Sequence, residues 1–395
     1  MNHWLKEASS LADQLVAMRR QIHQHPEQGY EEQETARFLA GMMRQAGVSV
    51  QEGVGQTGMM AVIEGTRPGR VVALRADMDA LPIEETTGLP FASLTPGVSH
   101  ACGHDSHSAM LAGVAILLQR NRDRFAGTAK LLFQPAEECP PLGGAQPMIA
   151  DGVLQNPQVD AIYALHTMGD LPVGQISIAR GPMMAASDRA AIRIIGKGGH
   201  GSAPHQTVDA LLTAAQVVVA LQSIVSRNTH PLKPAVLTVG EMHSGYRYNV
   251  VADVATLDCT IRSLDPETRQ LLKARIEQIV AGVTSAMGAS YELVYTQGYP
   301  SVPNNSAKVD QVIEAAQAVL GDSSVVMLDS PSMGGEDFSY FLKQVPGALF
   351  WLGSRLDDGR EQHPAHNAGF DLNEKALPLG VALLCQLVEQ ELSGK

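Results

Sequence analysis

The hydrophobic and polar positions along the chain change rhythm twice. Up to about residue 180, helical spacing over 5–23 and 33–46 gives way to short apolar runs: VVALRAD (71–77), AKLLFQPAEE (129–138) and AIYALH (161–166). These runs are mostly apolar without strict alternation, as expected of strands buried on both faces of a parallel sheet. A helical pattern, HSAMLAGVAILLQR (107–120), separates the first two. Such βα alternation predicts an α/β layer. Residues 186–297 read differently. A strand (DRAAIRIIG), a helix (VDALLTAAQVVVALQSIVSR), two strands (AVLTVGEM, DVATLDCTIR), a helix (PETRQLLKARIEQIVAGVTSAMG) and a strand (SYELVYTQ) follow in turn. The order βαββαβ is that of a ferredoxin-like α+β unit. From about 300 a helix (AKVDQVIEAAQAVLG), a strand (ALFWLG) and a last helix (LPLGVALLCQLVEQEL) restore the first rhythm. The expectation is therefore an α/β domain with a mixed, largely parallel sheet flanked by helices. It is built from residues 1–185 and 298–395 and interrupted by a ferredoxin-like α+β domain over 186–297.

Composition narrows the function classes. The chain has 395 residues, 45% hydrophobic and 18% charged, which fits a folded globular protein and excludes disorder as its main state. It carries 29 Lys and Arg against 41 Asp and Glu, a net charge of −12, with no basic cluster. Nucleic acid and anionic membrane surfaces are therefore poor partners. The most apolar stretch, VDALLTAAQVVVALQSIV, is broken by Asp209, Gln216 and Gln222 and reads as a packed helix. The start, MNHWLKEASSLADQL, has charges throughout and no apolar leader segment. Cys102, Cys139, Cys259 and Cys385 are scattered without a Cys-x-x-Cys pair. That is no disulfide framework, and a cytoplasmic setting is expected.

Open α/β sheets bind ligands beyond the carboxyl ends of their strands. VVALRAD runs into Asp77 and Asp79, LLFQPA into Glu137 and Glu138, and AIYAL into His166. Between the first two lies His100-Ala-Cys102-Gly-His104-Asp105-Ser-His107. A thiolate and an imidazole two residues apart, with Gly103 between them, can converge on one metal ion. Metal-assisted hydrolysis needs one carboxylate as ligand and another to take a proton from water, and Glu137-Glu138 supplies such a pair. His363 and His366, in the polar loop EQHPAHNAGF, are further candidates between which spacing does not choose. His100 and His107, taken singly, read as structural.

Gly196-Lys-Gly198-Gly199-His200-Gly201 has the outline of a dinucleotide fingerprint. Pro204 interrupts the helix start, and no acid occurs between Asp209 and Glu241 where a ribose ligand belongs. It reads better as a flexible glycine loop presenting His200. Arg262, ending LDCTIR, suits bidentate recognition of a carboxylate, and Asn249 lies beside a loop.

Nine motifs occur in order over almost the whole chain: RRQIHQHPEQGYEE, LRADMDALPI, HACGHDSHSAM, LLFQPAEE, ALHTMGD, GKGGHGSAPH, YNVVAD, GGEDFSYF and HPAHNAGFDLNEKAL. The set resembles the dinuclear metallopeptidase family of aminoacylases, carboxypeptidase G and succinyl-diaminopimelate desuccinylase. Within it, the branch is similar to hippurate hydrolase and plant indole-acetyl-amino acid hydrolases. The resemblance implies a zinc-exopeptidase-like catalytic domain and an inserted domain serving as lid and dimer contact. It implies metal ligands Cys102, His104, Glu138, His166 and His366, with Glu137 as general base and Asp79 orienting a ligand. It further implies that His200 steadies the oxyanion, from its own or a partner subunit, and that Asn249 and Arg262 contact substrate. Cys102 departs from the bridging Asp of the wider family. Two divalent ions are implied, Zn or Mn first, with Co or Ni also compatible. The implied reaction is hydrolysis of N-acetyl- or N-benzoyl-type N-acyl amino acids by a metal-activated water in a homodimer. A carboxypeptidase or dipeptidase on the same scaffold is the alternative, and a non-enzymatic metal-bound sensor a weaker one.

Overall fold

The computed structural model describes residues 2–393, which divide into two compact units. The first comprises Met1–Met183, Val302–Pro331 and Asp337–Lys395, and the second Met184–Ser301 with Ser332–Glu336. The return segment Ser332–Glu336 was not separated from its surroundings by pattern. It joins the second unit through the Ala185 amide, which donates to Gly334 O at 2.9 Å, and the Met184–Ser332 bridge.

The first unit is organised by an eight-stranded sheet. At its centre Val71–Asp77 pairs in parallel with Thr128–Gln134 on one side and Ala161–Met168 on the other, and Gly347–Gly353 continues the parallel run. Every residue of Val71–Asp77 is buried, the pattern of a strand covered on both faces. Ser49–Val54 and Gly58–Glu64 form an antiparallel hairpin at one edge. The first is exposed and polar, so its sequence carries no strand signal. The helix His104–Arg120, buried along most of its length, and the last helix, Ala376–Ser393, fill the main core with Leu15, Met18, Leu39 and Phe350.

Two expectations need correction. The helical pattern over 5–23 is two helices, His3–Ser9 and Ala12–Gln24. Ser9 and Ser10 donate their hydroxyls back to Leu5 O and Glu7 O, a competing bonding pattern that ends the first helix. The run over 129–138 stops as a strand at Gln134. Pro135 has no amide to give the ladder, and Ala136 turns into the left-handed region with φ +54°.

The second unit is a four-stranded antiparallel sheet with two helices. Ala186–Ile195 is flanked by Val254–Ser263 and Ser290–Gln297, and Ala235–Ser244 lies outside Val254–Ser263. This is the strand order of a ferredoxin-like fold. Ala210–Ser223 and Pro266–Ala286 bury Ala214, Val217, Leu221, Leu272 and Ile276 with the strands' Ile192, Ile194 and Leu257. The stretch Ala210–Asn228 is long and apolar enough to cross a membrane by length and composition. In this unit it packs on the sheet through every third or fourth residue.

Candidate metal centre

The central strands deliver their carboxyl ends to one edge of the sheet, where Asp77 stands level with Gln134. Beyond that edge the chain makes three local turns that aim side chains inward. Gly103, at φ +87°, precedes the helix His104–Arg120 and adopts a conformation that a side chain rarely tolerates. A Cβ there would also lie 2.6 Å from Thr167 Oγ1. Ala136 takes a left-handed turn and donates its amide to the buried Glu32 carboxylate at 2.8 Å, so Glu137 and Glu138 leave the strand on the inner side. His366, at φ +66°, donates its amide to Ala101 O at 2.7 Å, which ties its loop to the residue before Cys102.

Of the candidate donor groups among the described residues, two share one atom. Cys102, His104 and His166 present ligand atoms within 4.8 Å of one another, and so do Cys102, Glu138 and His366. Cys102 Sγ is 3.4 Å from His166 Nε2. His366 Nε2 is 2.8 Å from Glu138 Oε1, yet Glu138 Oε1 makes no hydrogen bond among the described residues. The atoms are close without being aligned on each other, as donors to a common ion are. His104 Nε2 is likewise buried without a partner among the described residues. A buried polar atom left unpaired costs about 1–3 kcal/mol, a cost that an ion at His104 Nε2 would relieve. The thiolate, imidazole and carboxylate set suits divalent transition ions, which these residues would hold. His363 belongs to neither group; its Nε2 lies 3.9 Å from Glu361.

The surroundings favour cations. Burial opposes charge on His104, but Asp77 and Cys102 outweigh it and raise its pKa well above the ordinary imidazole range. Burial, with His107 adding to it, pushes His166 down to about 3, leaving it a neutral donor. Burial pushes the Cys102 thiol up to about 12, and a bound cation would be needed to hold it as thiolate. Glu137 is buried, with a carboxylate oxygen within 4.8 Å of the His104 and Glu138 donors.

Asp79 bonds to two members of this set. Its Oδ2 accepts the Glu138 amide at 2.8 Å, while its backbone O and Oδ1 lie 2.9 and 3.2 Å from His104 Nδ1. Behind it lies a network that sequence reasoning missed. Arg75 donates to Asp77 Oδ2 at 2.6 Å, Asp337 Oδ1 at 3.0 Å and Gln134 Oε1 at 2.9 Å. His107 contacts Asp77 Oδ1 at 2.6 Å, and its Nε2 accepts the Thr167 amide at 2.9 Å. The available signal was the spacing: His107 stands one turn from His104 on the same helix. His100 is buried with neither ring nitrogen partnered among the described residues, and burial lowers it to about 3.

In the second unit, Gly199–His200 pairs with Val250–Val251, and the Gly201 amide donates to Asn249 O at 2.9 Å, so His200 and Asn249 are neighbours. His200 is exposed, and its Nδ1 lies 2.7 Å from Ser202 Oγ. Asn249 Oδ1 is buried and unpartnered among the described residues. Arg262 is half-buried near the far end of Val254–Ser263, its Nη1 donating to Ile261 O at 3.0 Å. From Val254 to Arg262 the strand runs roughly 26 Å at about 3.3 Å per residue. Arg262 thus lies at the opposite end of that strand from Val254. The glycine loop itself leads into a short 3-10 turn, Pro204–Gln206, rather than a helix, so no dinucleotide motif forms.

Comparison with known proteins agrees with this geometry. A thermostable carboxypeptidase of Saccharolobus solfataricus is 41% identical over 391 residues, covering 98% of both chains. An N-acyl-L-amino acid amidohydrolase of Geobacillus stearothermophilus is 46% identical over 303 residues, 76% of this chain and 81% of that one. The crystal structure of the Bacillus subtilis YxeP protein, described as a dinuclear metal binding peptidase, superposes with a TM-score of 0.84 at 34% identity, covering 98% of this chain and 99% of that one. Residues 73–390 match the family described as peptidase family M20/M25/M40. With both donor groups converging at the sheet edge, the chain belongs to that family and is a metal-dependent hydrolase of amide bonds.

Proposed function

We propose that the protein hydrolyses N-acyl amino acids of the N-acetyl or N-benzoyl type. The observation that carries this reading is the pair of donor groups sharing Cys102, with the Glu137 carboxylate beside them. Cys102, His104 and His166 would hold one ion and Cys102, Glu138 and His366 the other. Two bound divalent ions supply Lewis acidity for the acyl oxygen and lower the pKa of water at the site. Glu137 takes the proton from the attacking water as its oxygen adds to the acyl carbon, then returns it to the leaving amine as the C–N bond breaks. Asp79 keeps the His104 ring and the Glu138 backbone in position throughout. His200 donates to the developing oxyanion, Asn249 contacts the substrate, and Arg262 takes the amino acid's carboxylate in a bidentate pair.

His200 and Asn249 would reach the substrate from their own chain or, in a homodimer, from the partner copy. Exposed apolar residues on the second unit, among them Leu211, Leu212, Val219 and Leu232, give such a dimer its contact. We assign 1–185 and 298–395 as the catalytic domain and 186–297 as the lid and dimer domain. Soft thiolate and imidazole donors favour Zn, with Mn next and Co or Ni compatible. All four cysteines are free, and a thiol that must stay reduced suits the cytoplasm.

The test is turnover of acetyl- and benzoyl-amino acids against free dipeptides and carboxy-terminal peptides, with each metal supplied to chelator-treated enzyme. Faster hydrolysis of the acyl amino acids supports the reading. Preference for peptides assigns the carboxypeptidase activity for which the Saccharolobus relative is named. Failure of ¹⁸O from labelled water to reach the released acid refutes hydrolysis altogether.

A further inference from the structure

One buried guanidinium holds two of the segments that carry the candidate ligands. Arg19, on the helix Ala12–Gln24, is fully buried although no candidate ligand touches it. Its Nε donates to Asp105 Oδ2 at 2.7 Å, and Asp105 directly follows His104. Its Nη2 donates to Asp371 Oδ1 at 3.0 Å and its Nη1 to Glu374 Oε1 at 3.3 Å, on the chain that follows His366. Each segment is also held from outside the clamp. His23 Nδ1 lies 2.8 Å from Asp105 Oδ2, and Arg360 donates to Asp371 Oδ2 at 2.6 Å.

We propose that Arg19 is a positioning residue that sets the distance between the Cys102–His104 turn and the His366 loop, and so completes the Cys102–Glu138–His366 ion site. The inference rests on the reading of these side chains as metal ligands. The two segments meet elsewhere only lightly among the described contacts: through the His366 amide on Ala101 O, and through the small cluster of Ala101, Phe370 and Leu372. His366 sits in a left-handed conformation that its surroundings must maintain. His104 needs the clamp less, because Asp79 holds its Nδ1 directly. A planar guanidinium reaches both segments from separate nitrogens in fixed directions; an ammonium concentrates its donors on one atom and cannot span both.

Stepwise Co(II) and Zn(II) affinities of the metal-free full chain, measured against a chromophoric chelator, test this. In Arg19→Lys, one of the two binding steps should weaken by about 10–100-fold, as loss of support around a ligand does. The other step should stay within about threefold. The weakened step should be the one that His366→Ala abolishes. Lys308→Met, which breaks a part-buried pair with Glu391 away from the candidate ligands, should leave both steps unchanged. If Arg19→Lys does not fold, Asp371→Asn decides: it should weaken the same step several-fold. Two wild-type binding steps in folded Arg19→Lys, or in Asp371→Asn where that variant decides, overturn the proposal. So does equal weakening of both steps. A wild-type chain that binds no divalent ion at micromolar concentration overturns the metal reading itself, a different result from two normal steps in the variant.

Discussion

Replacing Asp79 by Asn tests how much of the site depends on a side chain that is not itself a ligand. The carboxylate does two jobs: one oxygen accepts the Glu138 amide and the other faces His104 Nδ1. Asparagine keeps the shape but has one acceptor. Whichever way the amide is turned, an N–H faces either the Glu138 N–H or the His104 Nδ1–H. One hydrogen bond to a charged acceptor is lost, worth about 1.5–3 kcal/mol. The backbone carbonyl of Asp79 still accepts from His104 at 2.9 Å, which keeps the loss at the lower end. At about 1.4 kcal/mol per tenfold, metal affinity should fall roughly 10–100-fold, the range typical of residues that orient ligands. The assay is chelator competition on the metal-free enzyme, followed by turnover at saturating metal. Turnover should recover most of the way once metal saturates, because neither Glu137 nor any donor is removed. Affinity within threefold of wild type would refute the idea that the Asp79 carboxylate carries this orientation.

Three further outcomes follow from the same geometry. Glu137→Gln should lose about 10²–10⁴ in kcat while still binding two ions, and near-normal turnover would remove Glu137 from the proton-transfer role. His200→Ala and Arg262→Ala should each be nearly inactive alone; mixed and re-associated, they should regain up to about a quarter of wild-type activity if each site draws on both copies. No recovery from verified mixed dimers would show that the two residues act from one chain. Burial raises Glu32 from 4.5 to about 7, opposed by its Thr57 hydrogen bond and helped by Asp79. An acid with a raised folded pKa holds its proton more tightly when folded, so its contribution is complete below pH 4.5 and is lost as pH rises through 7. That is about 3 kcal/mol at most, and Glu32→Gln should flatten the fall in urea midpoint between pH 5 and 8 relative to wild type. An unchanged slope would mean that Glu32 does not titrate there.

The chain's own pattern determined the repetitive parts. Mostly apolar runs at 71–77 and 161–166 and the βαββαβ succession over 186–297 each became the expected element, because burial on one or both faces leaves a local periodicity. Strand ends in an α/β sheet converge, which made Cys102, His104, the Glu137–Glu138 pair and His166 candidates, while only the resemblance divided them into ligands and base. Short-range hydrogen bonding escaped: Ser9 and Ser10 end a helix that apolar spacing would continue, and the exposed strand Ser49–Val54 leaves no hydrophobic trace.

The residue pattern left His363 and His366 open and the resemblance pointed to His366; in the fold the His366 amide donates a hydrogen bond to Ala101 O, over 260 residues earlier in the chain, and His366 joins Cys102 and Glu138 in one candidate donor group. Sequence spacing likewise gave no sign of the partners of Arg19, Arg75 and Asp337. A charge is buried only where opposite charges from distant segments meet it, and sequence spacing carries no record of that meeting. Periodicity is a property of neighbours, and a metal centre with its clamp is a property of chain segments that meet only after folding.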